Sequence, residues 1–363
     1  MKGAVGTVLF FLLFLYRWFS LLLHWENKRK YMNRYFFIFL LATILASCQG
    51  SNKANNEPTR EMHSPKRAMY HWKNVFELSE EEMNFLEKHK IERLYIRFFD
   101  VTLESLLDGK GPQAIPTATV QFKTFLWSCE YPKEIVPTIF ITPEAIMDIQ
   151  KKGQGHNIAA KMLERIRNIC SFYYVSEEVV KEIQLDCDWT PSTEQPFFNF
   201  CKEVRKQMPD RMLLSSTIRL HQLRRPAPPV DYGVLMLYNT NNLRDPNVLN
   251  SILSAADVKP YLKRVKYNMP LDLAYPAYAW DLWFANGKFQ GILRSKHQAD
   301  SLRLAGDFVR HEEVSFDEIM RVKQLVEKHL PKPKHERSTI LYHLDTNNIK
   351  RYSSHEIESI FSR

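Results

Sequence analysis

The chain has 363 residues, 45% of them hydrophobic and 25% charged, and a formal net charge of +9. These are the proportions of an ordinary globular protein, and nineteen prolines against eleven glycines argue for rigid loops rather than disorder. The positive excess is concentrated at the start, where residues 1–47 hold six Lys/Arg and one acid, a net of +5 that leaves +4 for the rest. No basic stripe interleaved with aromatics stands out, so composition gives no support to a nucleic-acid partner.

Two apolar runs come first. One spans Ala4 to Leu23, is interrupted by Arg17 and ends in Lys28-Arg29-Lys30; the other follows Met32-Asn33-Arg34 and runs from Tyr35 to Ala46. A short basic start, an apolar core of about a dozen residues and small residues before a cleavage point describe a secretory signal. Translation beginning at Met32 would account for the extra upstream run. Leu45-Ala46-Ser47-Cys48 resembles a bacterial lipobox. That resemblance implies removal of residues 1–47, lipidation of Cys48, and a protein held by acyl chains to a membrane of the cell envelope, with the outer membrane favoured and the leaflet open. Residues 48–66, rich in Asn, Ser, Pro and charge, are expected to be a flexible tether. The alternative is a pair of short transmembrane segments, although the second run falls short of an ordinary ~20-residue span. An exported compartment permits disulfides, yet Cys129, Cys170, Cys187 and Cys201 show no CxxC or zinc-like spacing. Cys187 reads as a buried thiol, with a Cys187–Cys201 pairing left open.

From residue 67 to 363 one domain is expected, in which strand-like and helix-like segments alternate. β-rich runs occur at Ile91–Phe99, Ile135–Ile141, Glu182–Asp188, Met212–Leu220, Tyr232–Tyr238, Pro270–Tyr275 and Ser338–Leu344, with a weaker one near Phe289–Leu293. Between them the pattern predicts helices over Ser79–His89, Ile158–Ser171, Glu194–Gln207, Asn247–Ala256, Phe316–His329 and Ser354–Ser362, with Ser79, Ser315 and Ser354 as N-caps. Ala114–Trp127 reads as an elaborated loop and helix. Seven or eight strand–helix units fit a (β/α)₈ TIM barrel. A doubly wound sheet is the runner-up, but no Gly-rich phosphate loop follows an early strand.

The strand candidates carry a polar face. Gln184, Asp186 and Asp188 share one side of Glu182–Asp188, while Ile183, Leu185 and Cys187 share the other. Because barrel strands turn an apolar face to the helices, Arg97, Gln184, Asp186, Asp188, Thr217, Arg219 and His221 are expected to converge inside and at the top. Two neighbouring carboxylates raise at least one pKa, which is one way to make a general acid near neutrality. A glycosidase of the usual kind also needs an acid across the substrate, and Asp100, Asp272, Asp281 and Asp345 are the available ones. Tyr275, Tyr278, Trp280 and Trp283 form an aromatic stretch, with Trp280 the best candidate for stacking on a sugar ring. His343 and Asp345 flank the last strand. No zinc-spaced cluster and no G-x-S-x-G elbow occurs, so neither metal nor cofactor is expected.

The run Glu182-Ile183-Gln184-Leu185-Asp186-Cys187-Asp188-Trp189-Thr190 resembles the fourth-strand motif of glycoside hydrolase family 18, the chitinase-like barrels. There, two spaced aspartates are followed by an aromatic and then the proton-donating glutamate. Thr190 takes the glutamate's place here. Val230-Asp231-Tyr232-Gly233-Val234-Leu235-Met236-Leu237-Tyr238-Asn239 is similar to that family's Met-x-Tyr-Asp strand, with Asn239 replacing the aspartate. The resemblance implies a substrate-facing Tyr238 beside Asn239. The chain is also similar to bacterial lipoproteins of glycosidase-type barrel fold that bear a Gln-x-Asp-x-Asp strand. Together these readings imply a glycosidase-like barrel acting on or binding a carbohydrate at the C-terminal ends of its strands. Asp188 and Asp186 are then the catalytic candidates, and Tyr238, Asn239, Trp280, Arg97, Arg219 and His221 line the site. A non-catalytic carbohydrate-binding or envelope-associated barrel is the alternative.

Overall fold

The computed structural model describes residues 64–105, 111–124, 130–293, 295–331 and 336–362. The expected signal region, Cys48, most of the tether and Cys129 lie outside the described residues. Chain order runs β1 (Arg67–His71), β2 (Val75–Phe76), α1 (Glu80–Lys88), β3 (Arg93–Ser105), β4 (Pro112–Thr117), β5 (Gln121–Phe122) and β6 (Glu134–Ile141). It continues through α2 (Pro143–Lys151), α3 (Gly155–Phe172), β7 (Glu182–Asp186), α4 (Glu194–Gln207), β8 (Leu213–Ile218), β9 (Tyr232–Met236), α5 (Ala255–Leu262) and β10 (Leu271–Pro276). The last part holds β11 (Trp280–Ala285), β12 (Lys288–Leu293), α6 (Lys296–Leu304), β13 (Phe308–Glu312), α7 (Phe316–His329), β14 (Thr339–Tyr342), α8 (Thr346–Ile349) and α9 (Ser354–Phe361).

Eight of these strands, β1, β3, β6, β7, β8, β9, β10 and β14, pair in parallel, and β1 closes the sheet by pairing with both β3 and β14. The result is a (β/α)₈ TIM barrel. Its strands are buried on both faces, which is why β6 reads as an almost unbroken apolar run. At Gly233 in β9, an added Cβ would meet Met269 Cε at 2.6 Å, Ile218 Cγ1 at 2.7 Å and Leu271 Cδ2 at 3.0 Å. Gly233→Ala is therefore expected to cost about 1–3 kcal/mol through overpacking; an unchanged urea midpoint would refute it.

Several expected elements differ. The first barrel strand, β1, was not anticipated: Arg67-Ala68-Met69-Tyr70-His71 holds no β-branched residue and follows the polar tether directly. Counting it makes β7 the fourth barrel strand, the place its motif resembles. The weak Phe289–Leu293 run is no barrel strand. It forms β12 of an antiparallel sheet, β12-β11-β13, inserted between the last two barrel strands. Asn286 (φ 51°) and Gly287 (φ 72°) make the tight turn of its hairpin, the positive-φ pair such two-residue loops require. Ala114–Trp127 is not loop and helix where described, because β4 pairs with the outer half of β3 and β5 pairs with β2. Most of the helix expected over Asn247–Ala256 is absent. Asn250 Nδ2 and both the amide and the hydroxyl of Ser251 bond to Glu313 and Glu312 instead, and helix begins only after the Ser254 cap. Ser353, not Ser354, caps α9, while Ser79 and Ser315 cap as expected. Strand β1, α2 and the rest of the inserted sheet besides β12 are the main elements that periodicity left unread.

Candidate functional site

The barrel interior is polar along its whole axis, in layers. Near the N-terminal ends of the strands, Arg93 donates from Nε and Nη2 to Glu134 Oε2 at 3.1 and 3.0 Å, and from Nη1 to the Tyr232 hydroxyl at 3.2 Å. Glu182 lies 3.5 Å from Arg93 and accepts from the Tyr232 and Ser215 hydroxyls. Burial works against the Arg93 charge, and Tyr232, Tyr95, Glu182 and Glu134 outweigh it. One layer up, Tyr70 donates to Gln184 Oε1 at 2.8 Å, and Gln184 Nε2 donates to Ser215 Oγ at 3.3 Å. Each buried polar group in these layers has a partner, as burial requires.

Above them the two aspartates part company. Asp186 ends β7, is 2% exposed, and accepts a 2.6 Å bond from the Thr217 hydroxyl. Burial pushes its carboxyl up to about 6; the Asp188 charge adds to this, while Arg219, Thr217 and Arg97 oppose it. Asp188 lies beyond the strand end, in the loop after β7, and is exposed. Arg219, just after β8, donates from Nε to Asp188 and holds it in an ion pair.

Asp188, Thr190, Arg219, Leu220, His221, Met236, Tyr238, Asn239, Thr240 and Tyr261 line one cavity of about 360 Å³ at the C-terminal ends of the fourth to sixth barrel strands. Tyr238 stacks on Tyr342 with ring centroids 4.7 Å apart, and Tyr278 packs edge-on against both. Tyr278 also donates to Asn239 Oδ1 at 2.6 Å, fixing a side chain whose backbone sits at φ 53°, a region asparagine tolerates better than most residues. The Tyr238 hydroxyl is buried and has no partner among the described residues. Thr190 is exposed; its hydroxyl lies 2.9 Å from Ser192 Oγ.

Of the residues expected at the site, Asp188, Arg219, His221, Tyr238 and Asn239 are brought together, and Asp186 sits beneath them. Arg97 and Trp280 are not among the lining residues. Arg97 stands at the start of the irregularity between Arg97 and Phe99, pairs with Asp100 and lies 5.4 Å from the Trp72 ring centroid. Trp280 opens β11, where its Nε1 donates to Glu312 at 2.8 Å and its ring packs on Tyr278. The acids considered for the far side of a substrate are also engaged. Besides Asp100, Asp272 accepts from the Ser338 amide at 2.7 Å, Asp281 pairs with Arg303 and His311, and Asp345 pairs with Lys73 and caps α8. His343 is half-buried, its Nδ1 3.2 Å from the Leu344 carbonyl. Cys170, Cys187 and Cys201 are free buried thiols, so the Cys187–Cys201 pairing is not made. Among the described residues no group of three His, Cys, Asp or Glu could hold a metal ion. Trp72 and Tyr342, which build the aromatic wall with Tyr238 and Tyr278, were missed; Trp72 follows the unanticipated β1, and Tyr342 ends β14.

No family model matches the sequence, and no curated protein sequence matches it. Solved structures do. A chitinase-like agglutinin from Robinia pseudoacacia superposes with a TM-score of 0.50 at 11% identity, covering 82% of this chain and 98% of that one. The spore cortex-lytic enzyme SleL of Bacillus cereus gives 0.48 at 14% identity over 82% and 75%, and a chitinase from Bacteroides thetaiotaomicron gives 0.48 at 11% over 82% and 97%. At such identities the likeness is one of fold: a (β/α)₈ barrel distantly like those of glycoside hydrolase family 18.

Proposed function

We propose that this barrel binds a carbohydrate in the cavity at the C-terminal ends of its strands without hydrolysing it. One observation carries the reading: the one carboxyl group among the described lining residues, Asp188, is ion-paired. Asp188 is committed to Arg219, and Thr190, which cannot donate a proton at neutral pH, stands where the resembling motif has its acid. Asp186 titrates in a useful range, but it is 2% exposed and capped by Thr217. Binding needs only what is present, namely hydroxyl and amide donors beside a stacked tyrosine wall. The barrel's likeness to a chitinase-like agglutinin is compatible with such a role and adds fold alone.

Calorimetry against N-acetylglucosamine oligomers and peptidoglycan fragments should detect binding with no release of reducing ends. Turnover that disappears in Asp188→Asn would overturn this in favour of a glycosidase. Tyr238→Phe should leave folding intact or slightly more stable in urea denaturation, since it removes a buried hydroxyl that has no partner among the described residues.

The protein is further proposed to be exported and held to a membrane of the bacterial envelope by lipid on Cys48, as its lipobox-like run supports. Cys48→Ser should abolish labelling by a fatty-acid probe and move the protein from the membrane fraction to the soluble one. Retention in the membrane fraction without label would favour the transmembrane alternative.

A further inference from the structure

We infer that the carbohydrate bound in this cavity carries a carboxylate, received by the terminal nitrogens of Arg219. The inference rests on the carbohydrate-binding reading and names the chemical class of its ligand. Arg219 uses Nε on Asp188, while Nη1 and Nη2 have no partner among the described residues. A guanidinium is a rigid planar fork, and its paired terminal N–H groups match the two oxygens of a carboxylate. A neutral sugar hydroxyl would satisfy one of them and leave the other to water.

The neighbouring groups point the same way. Asn239 Oδ1 is taken by Tyr278, so the two Nδ2 hydrogens are what this side chain has left to offer, and no described residue accepts them. Tyr238 also lines the cavity, with its hydroxyl buried. Thr190 adds a hydroxyl, and His221 an imidazole, on the same lining. The one carboxylate among the described lining residues, Asp188, bonds to Arg219 through Oδ1. The terminal hydrogens of Arg219 and the amide hydrogens of Asn239 suit a group that only accepts, and an ionised carboxylate is acceptor-only. Asp186, the nearest further acid, lies buried beneath the cavity, held by Thr217, and its field also acts on Arg219.

A sugar carboxylate has two common chemical sources, a uronic acid and a lactyl ether, and matched ligands separate them. Binding to the full chain, solubilised in detergent, would be measured for three tetrasaccharides. One is the neutral N-acetylglucosamine tetramer, one alternates glucuronate with N-acetylglucosamine, and one is a peptidoglycan tetrasaccharide bearing lactyl carboxylates. At least one acidic ligand should bind about tenfold tighter than the neutral tetramer, and that advantage should shrink to about twofold or less in Arg219→Met. Arg219→Lys, which keeps the charge and loses the fork, should fall between. Circular dichroism melts of both variants would show that the barrel is intact, as expected for a pair whose acid is exposed. Equal or better binding of the neutral tetramer would overturn the carboxylate inference and leave carbohydrate binding standing. Acidic binding unaffected by Arg219→Met would overturn the assignment to this residue. Failure of all three ligands would overturn the carbohydrate reading together with this one.

Discussion

Arg93→Met should lower the stability of the barrel by about 3–5 kcal/mol, the usual cost of removing one member of a buried ion pair. The reason is the company Arg93 keeps. Glu134 and Glu182 both face it, at 3.0 and 3.5 Å, and each is almost wholly buried. Glu134 retains Lys66 and Lys181 when the guanidinium is lost. Glu182 keeps hydroxyl donors from Ser215 and Tyr232, but it loses the Arg93 charge. The carboxylate must then either stay charged in a dry interior or take up a proton at neutral pH, and both are costly. The double variant Arg93→Met with Glu182→Gln should be less damaged than the sum of the single changes, because the second removes the charge that the first strands. Urea denaturation of the three variants measures this coupling. A loss below about 1 kcal/mol in Arg93→Met, or strict additivity in the double variant, would mean the plug does not hold the barrel together in this way.

That plug also marks how far the sequence could be read. The alternation within Glu182–Asp186 correctly separated a polar face from an apolar one, because a strand's side-chain period is two wherever it pairs. Gln184 and Asp186 point inward, Ile183 and Leu185 outward, and Thr217 meets Asp186 as one polar face meets the next. The same logic overreached by two residues. Asp188 leaves the strand, and its exposure follows from the loop rather than the pleat. Arg97 was expected inward beside Asp186; its charge does act on that carboxyl, but at the register shift before Phe99 it pairs with Asp100 three residues on. Bulges of this kind re-aim side chains and leave no mark in a hydrophobicity pattern. Trp280 stands apart from the lining of this cavity for another reason. An aromatic stretch after a barrel strand suggests a mouth, yet here the chain turns at once into an inserted sheet, whose Glu312 takes the indole. The Asn-Gly turn at 286–287 was the local signal for that sheet.

Asp186→Asn should stabilise the protein above pH 6 and change little near pH 4. An unperturbed aspartate titrates near 3.9, whereas burial lifts the folded-state carboxyl to about 6. Between these values the folded protein holds a proton that the unfolded chain has released. The stabilisation associated with the raised pKa is therefore fully present below about pH 4 and is lost as pH rises through about 6, after which the deficit is constant. A rise of this size sets an upper limit of roughly 3 kcal/mol on the deficit. The carboxamide cannot ionise, and its Oδ1 can still accept the Thr217 hydroxyl bond. The attraction of Arg219 and Arg97 and the repulsion of Asp188 are already contained in this net rise, in which burial outweighs them. The comparison must be made as variant minus wild type, because His71 imposes an opposite slope. Its ring is buried beside Phe76 with neither nitrogen partnered among the described residues, and burial, with Lys73 and His343, lowers its pKa to about 3. The unfolded chain alone takes up that proton as pH falls through 6.5, so His71 removes stability on the acid side while Asp186 supplies it. Both wild type and Asp186→Asn carry the His71 contribution, and it cancels in the difference. A stability difference of the same size at pH 4.5 and pH 7.5 would show that Asp186 does not hold its proton in the folded barrel. It would then be a carboxylate at every working pH, paired to Arg219 through the same field that fixes Asp188, and further still from serving as an acid.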